Sequence, residues 1–215
     1  MLTQTKARIA VLVSGGGTNL QALLDAEAAG RIPSGRIVLV VSNREDAFAL
    51  QRAERAGVPS CVLTRRACGG AEGFEEALLQ RLERENIDLI ILAGFLSILS
   101  ERFVRRYDRR IINVHPSLIP SFCGEGFYGL RVHEAALNRG VRVTGATVHF
   151  VNEIPDGGEI LLQKPVSVEP GDTPETLQRR VMEQAEWELL PRAAELVSAQ
   201  IIQQKNHDRE DGIGI

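Results

Sequence analysis

Three separated groups of residues carry the chemistry available to this sequence. Ile111-Ile112-Asn113-Val114-His115-Pro116 sets an amide and an imidazole two residues apart. In a strand, alternate side chains share a face, so Asn113 and His115 point one way while Ile112 and Val114 pack the other. Pro116 has no N–H to give a ladder and marks the strand's end. An amide donor beside an imidazole suits an oxyanion that needs hydrogen bonds and a proton that needs a carrier. A hydrogen-bonded Asn and a buried His at a strand end would show the same pattern. The second group, Ile154-Pro155-Asp156-Gly157-Gly158, brings an acid. Asp before Gly is a common turn residue. Placed beside His115, its carboxylate would favour the imidazolium and raise the imidazole pKa.

The third group is Ser14-Gly15-Gly16-Gly17-Thr18-Asn19. It follows an apolar run and opens a helical pattern, where free N–H groups favour an anion. Leu20 stands where the dinucleotide fingerprint needs its third glycine, and Asn43 where it needs an acid. The Gly-Lys-Ser/Thr of a P-loop is absent. NAD and ATP are therefore disfavoured. A single phosphate monoester remains, beside the plainer reading of a glycine turn. Thr147 and His149 share one face of Thr144–Phe150 and read as sheet polarity or as support for the site. His133 and His207 read as helix-surface and tail residues. No cluster has metal-ligand spacing, so no metal is expected. Arg105-Arg106 and Arg109-Arg110 read as solvated surface.

The elements that must position these groups alternate. Arg8–Val13, Ile37–Ser42, Ser60–Leu63 and Leu89–Leu92 are short apolar runs, as in strands covered on both faces. Between them, Thr18–Ala29, Ala47–Ala56 and Phe74–Asn86 have helical spacing, with Gly30 closing the first. This rhythm predicts a parallel sheet with helices on both faces and a ligand crevice at the strands' carboxyl ends. Ile111–His115 is a further strand, and Pro116–Arg131 reads as a loop. Val132–Asn138 is a short helix. Arg142–Phe150 and Glu159–Val168 are extended runs joined by Pro155–Gly158. Thr173-Pro174 opens a last helix, which Pro191 should kink or divide. The stretch Gln203–Ile215 is polar, and 201–215 is expected to be a flexible tail behind a single domain spanning 1–200.

The 215 residues carry a net charge of −3 with 44% hydrophobic residues, enough for a packed core and against a nucleic-acid binder. No apolar run nears the ~20 residues of a membrane span. The opening residues 1–6 lack the apolar stretch of a secretory signal. Cys61, Cys68 and Cys123 have no C-x-x-C spacing, which fits reduced thiols in a cytoplasm.

Taken together, Ser14–Gln21, Leu92-Ala93-Gly94-Phe95, Asn113–Leu118, Thr144–Phe150 and Asp156-Gly157-Gly158 resemble, in this order, the phosphoribosylglycinamide formyltransferases. The resemblance runs from about Arg8 to about Val197. It implies a doubly wound, Rossmann-like α/β fold, parallel in its N-terminal half with an antiparallel C-terminal addition. It implies transfer of a formyl group from 10-formyltetrahydrofolate, as co-substrate, to glycinamide ribonucleotide. Asn113 and His115 would hold the formyl oxygen, with His115 the proton donor. Asp156 would raise the His115 pKa and orient a relaying water. Gly17, Thr18 and Asn19 would cradle the phosphate, and Glu186 would contact the ribonucleotide. Leu96, Ser97, Ile98 and Leu99, with Asn152, Glu153, Ile154, Pro155 and Asp156, would line the pterin pocket, largely through backbone.

Methionyl-tRNA formyltransferases share the motifs but carry a further C-terminal domain, and formyltetrahydrofolate deformylases an N-terminal one. The length of this chain leads us to expect the small-substrate transferase, as monomer or homodimer. A formyltetrahydrofolate hydrolase and a non-catalytic phosphosugar-binding module are the alternatives. Ser97 and Ala71 stand where many members have Arg, and the loop 121–129 is about four residues longer than in better-known members. Glu183–Trp187 carries one residue more than the family pattern.

Overall fold

The computed structural model describes residues 6–211. Residues 1–5 and 212–215, which include most of the opening segment and the end of the expected tail, lie outside the described residues. Seven strands form one sheet in the order β3-β2-β1-β4-β5-β6-β7. They are β1 (Ala7–Val13), β2 (Gly35–Ser42), β3 (Ser60–Val62), β4 (Leu89–Leu92), β5 (Ile111–His115), β6 (Val143–Phe150) and β7 (Ile160–Ser167). Strands β1 to β5 pair in parallel. β6 pairs antiparallel with β5, and β7 with β6. The parallel part of this α/β fold is the sheet that the alternating runs imply, and the antiparallel addition is what the family resemblance implies.

The continuous apolar runs are explained by cover on both faces. Ile9, Val11 and Val13 of β1 enter one core cluster, and Ala10 and Leu12 enter the other. The first cluster takes in α1 (Thr18–Ala28), α2 (Phe48–Arg55), α5 (Leu130–Arg139), α6 (Pro174–Val181) and α7 (Trp187–Asp211). The second takes in α3 (Ala71–Arg84) and α4 (Glu101–Arg106). Phe74, Leu78 and Leu82 form one buried stripe of α3, each worth about 1.5–3 kcal/mol. The order of strands reverses between β1 and β4, and ligands of open α/β sheets bind at such a switch point.

Three expectations are corrected. Glu101–Arg106 is a helix that the sequence pattern does not announce. It is six residues long, too short to show a period, and its start is fixed locally by Ser100, whose hydroxyl accepts the Phe103 N–H. Pro191 neither ends nor divides the last helix, because α7 runs through it. The irregularity lies one turn earlier, as a π-turn over Met182–Glu186. That turn ends against Trp187, whose carbonyl is the one Pro191 cannot serve. The expected loose tail continues as helix to Asp211. Ile201 and Ile202 are buried there, and Lys205 pairs with Asp88 at 2.5 Å, so packing rather than composition decides.

Candidate active site

Asn113 and His115 sit at the carboxyl end of β5 on one face, as the alternation requires. The antiparallel register sets His149 opposite Asn113 and Thr147 opposite His115. Cross-strand partners lie side by side on that face, so four polar side chains gather from two strands. The His149 Nδ1–H donates to the Phe150 carbonyl at 2.8 Å. Its Nε2 lies 3.2 Å from the Asn113 amide nitrogen. Thr147 accepts the Ile119 N–H at 3.1 Å and donates to the Ser117 carbonyl at 2.7 Å. It thereby holds the chain that leaves His115.

The segment after β6 folds back and brings the acid. Asp156 Oδ2 lies 3.3 Å from His115 Nδ1, and Oδ1 lies 3.5 Å from His149 Nε2. Asp156 has φ 55, a left-handed backbone that Asp tolerates better than most residues and that strained functional sites collect. Gly158 is required by close approach, since a Cβ there would meet the Phe150 carbonyl oxygen at 1.7 Å. The long 116–129 segment covers the cluster. Its Phe122 carbonyl accepts His115 Nε2–H at 2.8 Å, and its Gly124 N–H donates to Asp156 Oδ2 at 2.9 Å.

These contacts set the charges. Burial pushes the Asp156 carboxyl up, but His149, His115 and the Gly124 N–H outweigh it and hold it below the usual carboxylate range. His115 corrects an expectation. Burial lowers its pKa below the ordinary imidazole value, and the opposing pull of Asp156 and the Phe122 carbonyl does not make up the loss. The carboxylate acts in the expected direction, while the net shift goes the other way. His133, expected on a helix surface, is fully buried on α5. Burial, then the charge of His115, pushes it down to about 4.

The glycine loop lies at the switch point, between β1 and α1. Gly17 is left-handed at φ 70, ψ 33, and a Cβ on it would meet Ala49 at 2.6 Å. Asn19 Nδ2–H donates to Glu186 Oε2 at 2.6 Å, so the π-turn delivers Glu186 to the start of α1. A π-turn holds one residue more than an α-turn, which is the surplus seen at Glu183–Trp187. Glu186 is buried, which pushes its carboxyl up to about 7 despite the Asn19 hydrogen bond. Thr18 opens onto a cavity of about 300 Å³ that Gln21, Asp25, Arg31, Arg52 and Trp187 also line.

The proposed pterin wall is built from two loops. Ser14 Oγ accepts the Leu96 N–H at 2.9 Å, tying the glycine loop to the chain after β4. Asn43 donates to Ser97 Oγ at 2.9 Å. Leu96 and Ile98 are largely exposed, whereas Leu99 is packed into the second core and turns its side chain from any ligand. Asn152 caps the facing loop by accepting the Ile154 N–H at 3.0 Å; Glu153, Ile154 and Pro155 are exposed there. Among the described residues, no group of three or more His, Cys, Asp or Glu is placed to hold a metal ion.

A family model described as formyl transferase matches residues 7–194. The chain belongs to the formyl transferase family. It is 41% identical to the phosphoribosylglycinamide formyltransferase of Haemophilus influenzae over 184 residues, 86% of this chain and 84% of that protein. It is 45% identical to the trifunctional purine biosynthetic protein adenosine-3 of Bos taurus over 196 residues, 90% of this chain but 18% of that protein. The chain thus spans under a fifth of the length of that multifunctional relative. The crystal structure of glycinamide ribonucleotide transformylase 1 from Symbiobacterium toebii superposes with a TM-score of 0.85 at 42% identity, covering 91% and 89% of the two chains.

Sequence reasoning missed several groups of this formyl transferase site. Phe122 and Gly124 act through backbone, which no residue type reveals. Ser14 is a buried serine whose partner, Leu96, is distant in the chain, and Ser117 is one whose hydroxyl donates to the Ser121 carbonyl within the following loop. Their one available signal was a polar residue beside a strand end.

Proposed function

We propose that this formyl transferase moves the formyl group of 10-formyltetrahydrofolate to the amine of glycinamide ribonucleotide, in purine synthesis. The observation that carries the reading is the meeting of Asn113, His115, His149 and Asp156 beside the glycine loop. The names of the Haemophilus and Symbiobacterium relatives support the choice of substrates.

The formyl-folate supplies an electrophilic carbon and a nitrogen that leaves with a proton. As the amine attacks, charge gathers on the formyl oxygen and needs donors placed beforehand. Asn113 offers its amide N–H, oriented by His149. His115 offers Nε2–H once the formyl oxygen takes the place of the Phe122 carbonyl. Asp156 faces the other ring nitrogen, Nδ1, and opposes the burial that lowers the His115 pKa. Asp156 stays ionised and accepts the amine's proton through water, for return to the departing nitrogen. Gly17, Thr18 and Asn19 hold the phosphate, Glu186 the ribose end, and Leu96–Ile98 with Asn152–Asp156 the pterin. The three cysteines are unpaired, which suits a cytoplasmic setting, and no helix among the described residues is long and apolar enough to cross a membrane.

The test is a two-substrate assay read by folate absorbance. Turnover should need the ribonucleotide. Equal rates without it would indicate a hydrolase, and no turnover a binding module. His115→Ala should lower kcat by about 10²–10⁴ with the fold intact by circular dichroism.

A further inference from the structure

The helix beside the glycine loop holds two of the loop's carbonyls. The Ala49 N–H, in the first turn of α2, donates to the Gly15 carbonyl at 3.1 Å. One turn on, Arg52 Nε–H donates to the Gly16 carbonyl at 2.8 Å, and its Nη1–H reaches Gln21 Oε1 on α1 at 3.0 Å. The guanidinium also lies 5.1 Å from the centre of the Phe48 ring, which limits its freedom.

A trans peptide points its C=O and the next residue's N–H in opposite directions. Fixing the Gly15 and Gly16 carbonyls on α2 therefore turns the Gly16 and Gly17 N–H groups away from it. Gly17 is left-handed and Thr18 begins the helix, the backbone pairing that gathers successive N–H groups into an anion-binding hollow. The fork of Arg52 spans this hollow from behind, from Gly16 to one turn inside α1.

We propose that Arg52 is a positioning residue for the substrate's phosphate, acting through the Gly16–Gly17 peptide. This rests on the reading of the loop as the phosphate cradle. The guanidinium fixes in advance a peptide that three neighbouring glycines would leave loose. Lysine could not replace it, because one ammonium on a flexible stem does not present the same two-pronged geometry.

The experiment compares wild type, Arg52→Ala and Arg52→Lys on glycinamide ribonucleotide and on the same compound without its phosphate. The ratio of kcat/KM between the two substrates should fall about tenfold in both variants, the worth of one good hydrogen bond. The fall should lie in KM for the ribonucleotide and not in KM for the folate. In parallel, inorganic phosphate is titrated against the backbone amide signals of Gly16 and Gly17. Both variants should bind it more weakly, and both signals should already move in the phosphate-free protein. An unchanged substrate ratio, full recovery with Lys, or free-state amide signals identical to wild type would each overturn the proposal. Failure of the wild type to turn over the ribonucleotide would instead sink the assigned reaction, which the phosphate titration does not depend on.

Discussion

Replacing Glu186 by Gln should stabilise the protein above neutrality and change little in mild acid. Burial pushes this carboxyl from 4.5 up to about 7. Between those values the folded chain keeps a proton that the unfolded chain has released, so stability falls as pH rises. The contribution is present in full below the unfolded value and is lost as pH passes through the folded one. At about 1.4 kcal/mol per pH unit, the displacement amounts to about 3 kcal/mol. Gln escapes this loss. Its amide oxygen can still accept the Asn19 N–H, and its amide N–H can serve Asn19 Oδ1, which has no hydrogen-bond partner among the described residues. In a chain of this size, about 3 kcal/mol corresponds to roughly 6–12 °C in Tm. Paired urea and thermal unfolding at pH 5 and pH 8 reads the effect. The two proteins should nearly coincide at pH 5 and separate at pH 8. A gap of equal size at both values would refute the argument, since it would show that the carboxyl's ionisation is not what costs stability. KM for the ribonucleotide should rise in the same variant, setting stability against binding.

Two further outcomes follow from the cluster on β5 and β6. Asp156→Asn removes the charge that lifts His115 and should lower the imidazole pKa further, as followed by NMR of the ring; an unchanged value would separate the two residues. Thr147→Val should cost about 1–3 kcal/mol in urea unfolding, because it strips partners from the buried Ile119 N–H and Ser117 carbonyl; a neutral result would remove Thr147 from the support of the site.

The alternation of apolar runs and helical stripes made the sheet legible, because strands covered on both faces have no polar side to blur them. That Asn113 and His115 share a face was legible from period two, and their end of the sheet from topology. The approach of Asp156 came from the family resemblance and not from the residues themselves, since it depends on a loop folding back and on Gly158 lying against Phe150. The direction of the His115 shift was misjudged for a related reason. A neighbouring carboxylate can be read from a motif, but the depth at which it sits cannot. Buried positions from Leu177 to Ile201 recur every fourth residue, a spacing that drifts around a straight helix of 3.6 residues per turn. It becomes intelligible with the π-turn, which a residue pattern does not announce.

β5 is bordered by a parallel neighbour on one side and an antiparallel one on the other. Parallel neighbours send out loops at the same end, so the β4 side meets a ligand with pliable main chain. The antiparallel neighbour lays side chains directly across, so the β6 side sets the His149 imidazole beside Asn113 and the Thr147 hydroxyl against the chain that leaves His115. Loop backbone thus borders one edge of the strand and fixed side chains the other. On the proposed reading, substitutions near Ser97 should change which folate is held and leave His149 and Thr147, across the strand, in place.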